Sequence, residues 1–214
     1  MSNTLTFYTN PMSRARITRW MLEETGLPYE EVVLDYGTTM KSPDYLAINP
    51  MGKVPALRHG DTVITENAAI CAYLAELVPD KRLAPPVGSQ ARGSYYRWLF
   101  FLAGPVEALF TAKDAGVLGK PMTAGYGNEA DVLQVLEQAV AGREFLCGDH
   151  FTAADLYMAA FLGYYMMIGA LEKKPAFVAF ASRHAQRPAA IAANQHDDAL
   201  VPQHPNPAMP AAVA

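Results

Sequence analysis

The order of local structure signals in the first eighty residues constrains this chain most. Short β-prone runs alternate there with capped, amphipathic stretches that suit helices, which gives the order β-α-β-α-β-β-α. The first two strands are separated by a helix, so they must be parallel, whereas the last two are joined by a short turn and must be antiparallel. These residues therefore predict an α/β domain built on a small mixed sheet.

The rest of the chain predicts helices only. Residues 79–88 are rich in proline and glycine and end the alternating region. A long helical stretch over residues 89–115 follows, with a predicted bend at Gly104-Pro105. Shorter helical segments are predicted at residues 128–141 and 153–168 and after Pro175 and Pro188.

These patterns divide the chain into four predicted segments. Residues 1–78 form the α/β domain, residues 79–88 a linker, and residues 89–194 an all-α domain. Residues 195–214 are rich in alanine and proline, so we predict a mobile tail.

Composition excludes several classes of function. The formal net charge of -4 provides no basic field for nucleic acid. No apolar run is long enough to span a membrane, and the N-terminus has no secretory leader pattern, so we expect a cytoplasmic protein. Cys71 and Cys147 form no C-x-x-C pair and no cluster with histidines, which argues against a disulfide framework and a metal site. We predict that both cysteines are inert and structural.

The most informative segment is Asn49-Pro-Met-Gly-Lys-Val-Pro-Ala-Leu. A proline that follows Val54 at the entry to a strand removes a donor from the sheet ladder. The arrangement makes sense if a cis bond to Pro55 holds the turn and the backbone of Val54 stays free for a peptide-like ligand. The competing interpretation is an ordinary edge-strand proline.

Further on, Glu66 and Asn67 lie where a helix starts, and the N–H groups of that helix suit a ligand carboxylate. A plain helix cap would have the same sequence pattern.

Together with Thr65-Glu-Asn-Ala-Ala-Ile and Tyr73-Leu, this segment resembles the glutathione-site signature of the cytosolic glutathione transferases. The resemblance extends to Ser13-Arg-Ala-Arg with Trp20-Met-Leu-Glu-Glu, and to the second-domain run that starts at Phe145. It covers most of the chain apart from the tail. It implies a thioredoxin-like N-terminal domain, an all-helical C-terminal domain, glutathione as cosubstrate without a metal, and a homodimer.

The resemblance also implies roles for particular residues. Val54 would pair its backbone with the cysteinyl part of glutathione beside cis Pro55, and Glu66 with Asn67 would hold the γ-glutamyl end. Lys53 or Lys41 would reach the glycyl carboxylate, although Lys41 also fits a solvated surface charge. The family usually has serine where this chain has Asn67, and asparagine can also donate and accept hydrogen bonds.

Glutathione chemistry requires a thiolate, since a thiol is a poor nucleophile. A hydrogen-bond donor in the turn between the first strand and the first helix can lower the thiol pKa. Ser13 is the preferred donor, and a shifted alignment of the next residues makes Asn10 the alternative. Tyr8 is a third candidate, but it also fits an inward-facing strand aromatic, and Ser13 also fits a plain helix cap. No cysteine occupies this turn, which argues against glutaredoxin-like branches of the superfamily.

In the second domain, Thr152 and Asp155 have the spacing of a capping box, so we predict a structural role for Asp155. Aromatic and methionine residues at 95–101 and 164–167 offer apolar surface for an electrophile. Two hypotheses follow. The first is a glutathione transferase that adds the thiolate to an apolar electrophile, with peroxidase or isomerase chemistry as variants. The second is a non-catalytic binding or regulatory module that keeps the same fold.

Overall fold

A computed structural model describes residues 4–206 of the chain. It divides into two compact units. The first unit combines the chain up to Leu74 with the residues from Pro188 onward, and the second spans Ala75–Arg187. Within residues 4–206, none of the helices has the length and apolar character that crossing a bilayer requires.

The first unit contains a four-stranded mixed sheet. Its strands are β1 (Leu5–Thr9), β2 (Tyr29–Val33), β3 (Ala56–His59) and β4 (Thr62–Thr65). They lie in the order β2-β1-β3-β4. The β1–β2 pair is parallel, whereas β1–β3 and β3–β4 are antiparallel. The predicted mixed sheet is therefore confirmed, and β1 is a central strand whose five residues are all buried.

Three helices complete the predicted β-α-β-α-β-β-α order. They are α1 (Ala15–Thr25), α2 (Pro43–Ile48) and α3 (Asn67–Leu77). Helix α1 ends as the sequence predicts, because Gly26 adopts a left-handed conformation and its N–H donates to the Leu22 carbonyl at 3.0 Å. The boundary between the two units falls within α3.

The regular elements of the second unit are all helical within its described residues, as predicted. After Pro79–Lys81, a short 3₁₀ turn, it contains α4 (Gln90–Phe101), α5 (Glu107–Asp114), α6 (Glu129–Val140), α7 (Ala153–Met167) and α8 (Pro175–Ala185). A π-helical turn over Leu102–Val106 connects α4 to α5 and contains Pro105. The irregularity lies where the sequence predicts a bend, since proline cannot donate to the helical ladder.

Asp155 has the structural role that its spacing predicts. Its carboxylate accepts hydrogen bonds from the Thr152 N–H at 2.8 Å and from the Thr152 hydroxyl at 2.8 Å. It also accepts the Leu146 N–H at 2.6 Å. Because the side chain is fully buried, these bonds start α7 and fix the preceding loop against it.

The end of the chain differs from the prediction. Helix α9 (Pro188–Leu200) and a 3₁₀ turn (Val201–Gln203) extend well beyond residue 194, and they belong to the first unit. The predicted mobile tail from residue 195 is therefore wrong for residues 195–206. The physical reason is an ion pair that the sequence does not reveal: Asp197 in α9 is buried against Arg19 in α1, at 2.7 Å. Residues 207–214, also assigned to that tail, lie outside the described part.

Candidate active site

The turn that follows β1 carries Ser13 at the start of α1. The Ser13 hydroxyl donates to the Asn10 carbonyl at 2.7 Å and accepts the Ala15 N–H at 3.0 Å. Helix α1 begins at Ala15 with Arg14 as its N-cap and no side-chain cap, so Ser13 is not the plain helix cap that one interpretation of the sequence expects. The Ser13 side chain is only partly buried. Its hydroxyl proton can turn from the Asn10 carbonyl towards another acceptor while the oxygen still accepts the Ala15 N–H.

Asn10 lies behind this turn rather than on its surface. Its side chain is fully buried. The amide nitrogen donates to the Leu34 carbonyl at 2.8 Å, and the amide oxygen accepts the Met12 N–H at 2.9 Å. Both ends of the Asn10 amide thus hold the turn in shape.

Tyr8 points into the domain. Its side chain is 5% exposed, and its ring centroid lies 5.5 Å from that of Tyr45. The two rings belong to a core cluster with Leu34, Met40 and Ala56. This is the inward-facing strand aromatic that the sequence offers as the alternative interpretation of Tyr8.

Val54 presents its backbone beside the Asn10–Ser13 turn. The Val54–Pro55 peptide bond is cis, as predicted. Continuing the antiparallel register of β1 and β3 two residues beyond the Tyr8–Ala56 pair brings Val54 opposite Asn10. Within residues 4–206, neither the N–H nor the C=O of Val54 has a hydrogen-bond partner. A sheet-like edge is therefore open at this position.

The carbonyl of Lys53, the residue before Val54, accepts two side-chain hydrogen bonds. The Lys53 carbonyl accepts the Tyr45 hydroxyl at 2.6 Å and the Asn49 amide nitrogen at 2.8 Å. Burial raises the pKa of Tyr45 to about 12, so it stays a neutral donor. These two bonds fix the loop without using the Val54 edge.

Glu66 occupies a strained backbone position between β4 and α3. Its φ angle is 68°, in the left-handed region that residues other than glycine rarely adopt, at a cost of about 1–2 kcal/mol. Its carbonyl accepts the Ile70 N–H at 2.9 Å, which is the first bond of the α3 ladder. Glu66, whose side chain is exposed, therefore directly precedes the first turn of α3 and its unpaired N–H groups.

The Asn67 side chain connects α3 to α1. Its amide oxygen accepts the Thr18 hydroxyl at 2.8 Å, and its amide nitrogen donates to the Arg14 carbonyl at 3.0 Å. The residue is 8% exposed. Of the groups on Asn67, it is the backbone N–H at the helix start that remains for a ligand. This link joins the Glu66 region to the Ser13 region.

The two lysines lie on either side of one turn. Lys53 and Lys41 are both exposed, and the Lys41 ammonium donates to the Met51 carbonyl at 2.9 Å. Residue 52 in this turn is glycine, with φ at 56°, and this allows the turn to approach Met40 and Lys41 closely. A Cβ atom there would lie 2.7 Å from the Met40 carbonyl oxygen and 2.8 Å from the Lys41 nitrogen.

Neither cysteine can supply a nucleophile. Cys71 and Cys147 are unpaired and buried, as predicted, and burial raises the pKa of each thiol to about 12. Among residues 4–206, no group of three or more His, Cys, Asp or Glu side chains is arranged to hold a metal ion.

Comparison with known proteins decides the family. Residues 11–77 match the glutathione S-transferase N-terminal domain family, and residues 125–188 match the corresponding C-terminal domain family. The glutathione S-transferase GstA of Escherichia coli O157:H7 is 37% identical over 174 residues, which cover 78% of this chain and 86% of that protein. This chain belongs to the glutathione S-transferase family.

Solved structures of other glutathione S-transferases agree with this assignment. The glutathione transferase of Methylococcus capsulatus superposes with a TM-score of 0.77 at 30% identity, covering 92% of this chain and all of that chain. A sphingomonad glutathione S-transferase, determined in complex with glutathione, gives a TM-score of 0.74 at 30% identity. Its alignment covers 90% of this chain and 98% of that one.

Sequence reasoning missed several residues that shape this glutathione S-transferase site. Thr18, Leu34 and Tyr45 hold Asn67, Asn10 and the Lys53 carbonyl, respectively. A polar residue on the buried side of α1 was an available signal for Thr18. Leu34 accepts the Asn10 amide through its backbone carbonyl, so the identity of its side chain could not indicate this contact.

Proposed function

We propose that this glutathione transferase binds glutathione along the open backbone of Val54 and stabilises its thiolate with Ser13. The observation that carries the proposal is the unpaired Val54 edge, which continues the β-sheet register towards the turn that ends at Ser13. A short peptide adds to such an edge through its own N–H and C=O groups. The cysteinyl unit of glutathione would then direct its sulfur at the start of α1.

The γ-glutamyl end of glutathione carries an ammonium group and a carboxylate, and the Glu66 region offers a partner for each. The exposed Glu66 carboxylate suits the ammonium group. The N–H groups at the start of α3, that of Asn67 included, suit the carboxylate, because a helix N-terminus favours anions. The left-handed backbone of Glu66 supports this role, since strain of this kind concentrates at ligand sites.

The glycyl carboxylate of glutathione requires a cation near the other end of the peptide. Lys53 precedes Val54 directly, and its side chain is exposed. Lys41 lies against the same turn through its bond to the Met51 carbonyl. We propose Lys53 as the first partner, with Lys41 adding positive charge beside it.

Ser13 fits the donor role better than Asn10 or Tyr8. The amide of Asn10 is buried and engaged at both ends, and Tyr8 is packed in the core. A free thiol has a pKa of about 8.5, and lowering it by two units requires about 2.7 kcal/mol in favour of the thiolate. A hydroxyl hydrogen bond to sulfur, together with the positive end of α1, can supply a preference of this size.

The chemical step follows from a stabilised thiolate. The thiolate sulfur attacks an electrophilic carbon of the apolar acceptor, and a carbon–sulfur bond forms. In a substitution, the bond from that carbon to the leaving group breaks and the leaving group departs with its electron pair. In an addition, the π bond at that carbon breaks and its electron pair takes up a proton elsewhere on the acceptor. Peroxide reduction and isomerisation use the same thiolate and remain variants of this proposal.

We further propose a cytoplasmic homodimer, as the family resemblance implies. Sedimentation velocity tests the dimer, and a purely monomeric species would exclude it.

The Ser13→Ala variant tests the donor assignment. Loss of a hydrogen bond to a charged sulfur should raise the pKa of the bound glutathione thiol by about one to two units. The ultraviolet absorbance of the thiolate, followed against pH in the protein–glutathione complex, measures this pKa. Turnover at neutral pH should fall with the thiolate fraction.

Ser182→Ala provides a matched control, because Ser182 is an exposed helical serine in the second unit. It should leave the thiol pKa and turnover unchanged. An unchanged thiol pKa in Ser13→Ala would exclude Ser13 as the donor. A wild-type protein that does not bind glutathione would favour the non-catalytic module instead.

A further inference from the structure

Helix α9 is anchored on α1 by a buried charge pair. The Arg19 guanidinium and the Asp197 carboxylate lie 2.7 Å apart, and their side chains are 0% and 1% exposed. Arg19 also pairs with Glu31 of β2 and lies over the Phe7 ring, 5.2 Å from its centroid. A buried arginine that lost its partner would be costly, so this pair fixes where α9 runs.

From this anchor, the next residue of α9 reaches the turn that carries Ser13. The Asp198 carboxylate pairs with a terminal nitrogen of the Arg16 guanidinium at 2.6 Å. The Arg16 Nε donates to the Pro11 carbonyl at 2.6 Å. One guanidinium therefore connects α9 to the backbone of the turn, two residues before Ser13.

The segment after α9 contacts the same turn from another direction. His204 Nδ1 lies 2.7 Å from the Asp35 carboxylate, and the Asn206 N–H contacts the Met12 sulfur at 3.1 Å. Asp35 directly follows Leu34, whose carbonyl holds the Asn10 amide. The Asp35 loop and the turn are thus held together by the end of the chain.

We propose that Asp198, acting through Arg16, and His204, acting through Asp35, are positioning residues for Ser13. They would keep the Asn10–Ser13 turn at the distance from Val54 that a bound thiolate requires. This inference rests on the proposed function, since it concerns the geometry of the same thiolate site. It assigns a role in the chemistry to a segment that lies more than 180 residues from Ser13 along the chain.

A purely structural role for these residues would lower the thermal unfolding temperature when they are removed and would leave the thiol pKa unchanged. The structure argues against a large stability effect, because Asp198 is 67% exposed and Arg16 is 31% exposed. Exposed ion pairs of this kind contribute little to stability. Removing Asp198 or His204 should therefore leave the thermal unfolding temperature almost unchanged. A positioning role instead predicts a change in the thiol pKa, because small displacements of a donor weaken its hydrogen bond.

The test uses the full-length protein with Asp198→Ala, His204→Ala and the double variant. In the double variant, the pKa of the bound glutathione thiol should rise by about half a unit. At neutral pH, kcat should fall more than the KM for glutathione rises, because Val54 and Glu66 still bind the peptide. Amide hydrogen exchange of residues 12–15 should become faster.

Two further variants separate positioning from a general charge effect. The single variant Asp198→Glu keeps a carboxylate for Arg16, so its thiol pKa should equal that of the wild type. Asp114→Ala removes an exposed aspartate from α5 in the second unit and should change nothing.

A double variant with the wild-type thiol pKa and unchanged hydrogen exchange would overturn this inference while leaving the proposed function intact. If the wild-type complex itself contained no thiolate, the proposed function would fail, and this inference would fail with it.

Discussion

At the scale of single residues, Glu66 combines a strained backbone conformation with an exposed carboxylate. Its left-handed conformation is one that glycine would adopt without strain. The chain nevertheless places there an exposed carboxylate next to the start of α3. This combination is consistent with the proposed binding role of the Glu66 side chain.

Replacing Glu66 by glycine should separate these two effects. The Glu66→Gly variant should keep or slightly raise the unfolding temperature, because strain of about 1 kcal/mol is relieved. The KM for glutathione should rise about tenfold or more, since a charged hydrogen bond worth about 1.5–3 kcal/mol is lost. Thermal unfolding and steady-state kinetics measure the two quantities.

Arg82 provides a matched control for the backbone. It is the other non-glycine residue with a positive φ among residues 4–206, at 53°. Arg82→Gly should leave the KM for glutathione unchanged. If Glu66→Gly also left that KM unchanged, Glu66 would not bind the γ-glutamyl end.

At the scale of elements, α8 is joined to the loop before α7 through a buried histidine. His184 Nε2 lies 3.0 Å from the Glu144 carbonyl, and its ring packs against Phe145, Phe151 and Phe180. The pKa of His184 is lowered to about 4, mainly by burial, and the nearby charges of Arg187 and Arg183 act in the same direction. The imidazole is therefore neutral in the folded protein at neutral pH and donates to the carbonyl.

The depressed pKa of His184 predicts a loss of stability in acid. Below about pH 6.5 the unfolded chain takes up a proton on this residue, whereas the folded protein does so only near pH 4. The free energy of unfolding should therefore fall as the pH drops through this window, by about 3 kcal/mol in total. Urea unfolding of the wild type at several pH values measures this slope.

His184→Gln should be less stable at neutral pH but should show a flatter pH dependence between pH 6.5 and 4, because it removes the titrating group. Equal slopes for the variant and the wild type would exclude His184 as the source of the acid sensitivity.

The elements that depend on local signals are the ones that sequence predicts well. Residues close together in the chain determine the Gly26 helix stop and the cis Val54-Pro55 turn. Contacts between distant residues leave no such pattern. Asn67 bonds with Thr18, which is 49 residues away, so its side-chain partners could not be predicted from its neighbours.

At the scale of the whole molecule, the largest departure from the sequence prediction is the destination of the last helix. Alanine and proline around residues 195–210 suggest a tail, yet α9 belongs to the first unit. The decisive contact joins Arg19 and Asp197, which are 178 residues apart. A pairing over such a distance is fixed by the fold as a whole, and neither residue alone indicates it.

The division into units bears on the proposed thiolate site. The proposed glutathione residues lie within the first 67 residues of the chain, whereas the proposed positioning residues come from its last described part. The first unit is complete only when the chain returns to it. If the two proposals hold, packing of α9 on α1 is part of forming the site.

A crystal structure of the protein with bound glutathione is the most direct test of binding along Val54. It should show two backbone hydrogen bonds between Val54 and the cysteinyl unit, with the sulfur within about 3.3 Å of the Ser13 hydroxyl oxygen. A sulfur atom bound instead by another side chain, or a ligand that leaves the Val54 backbone unpaired, would contradict this prediction.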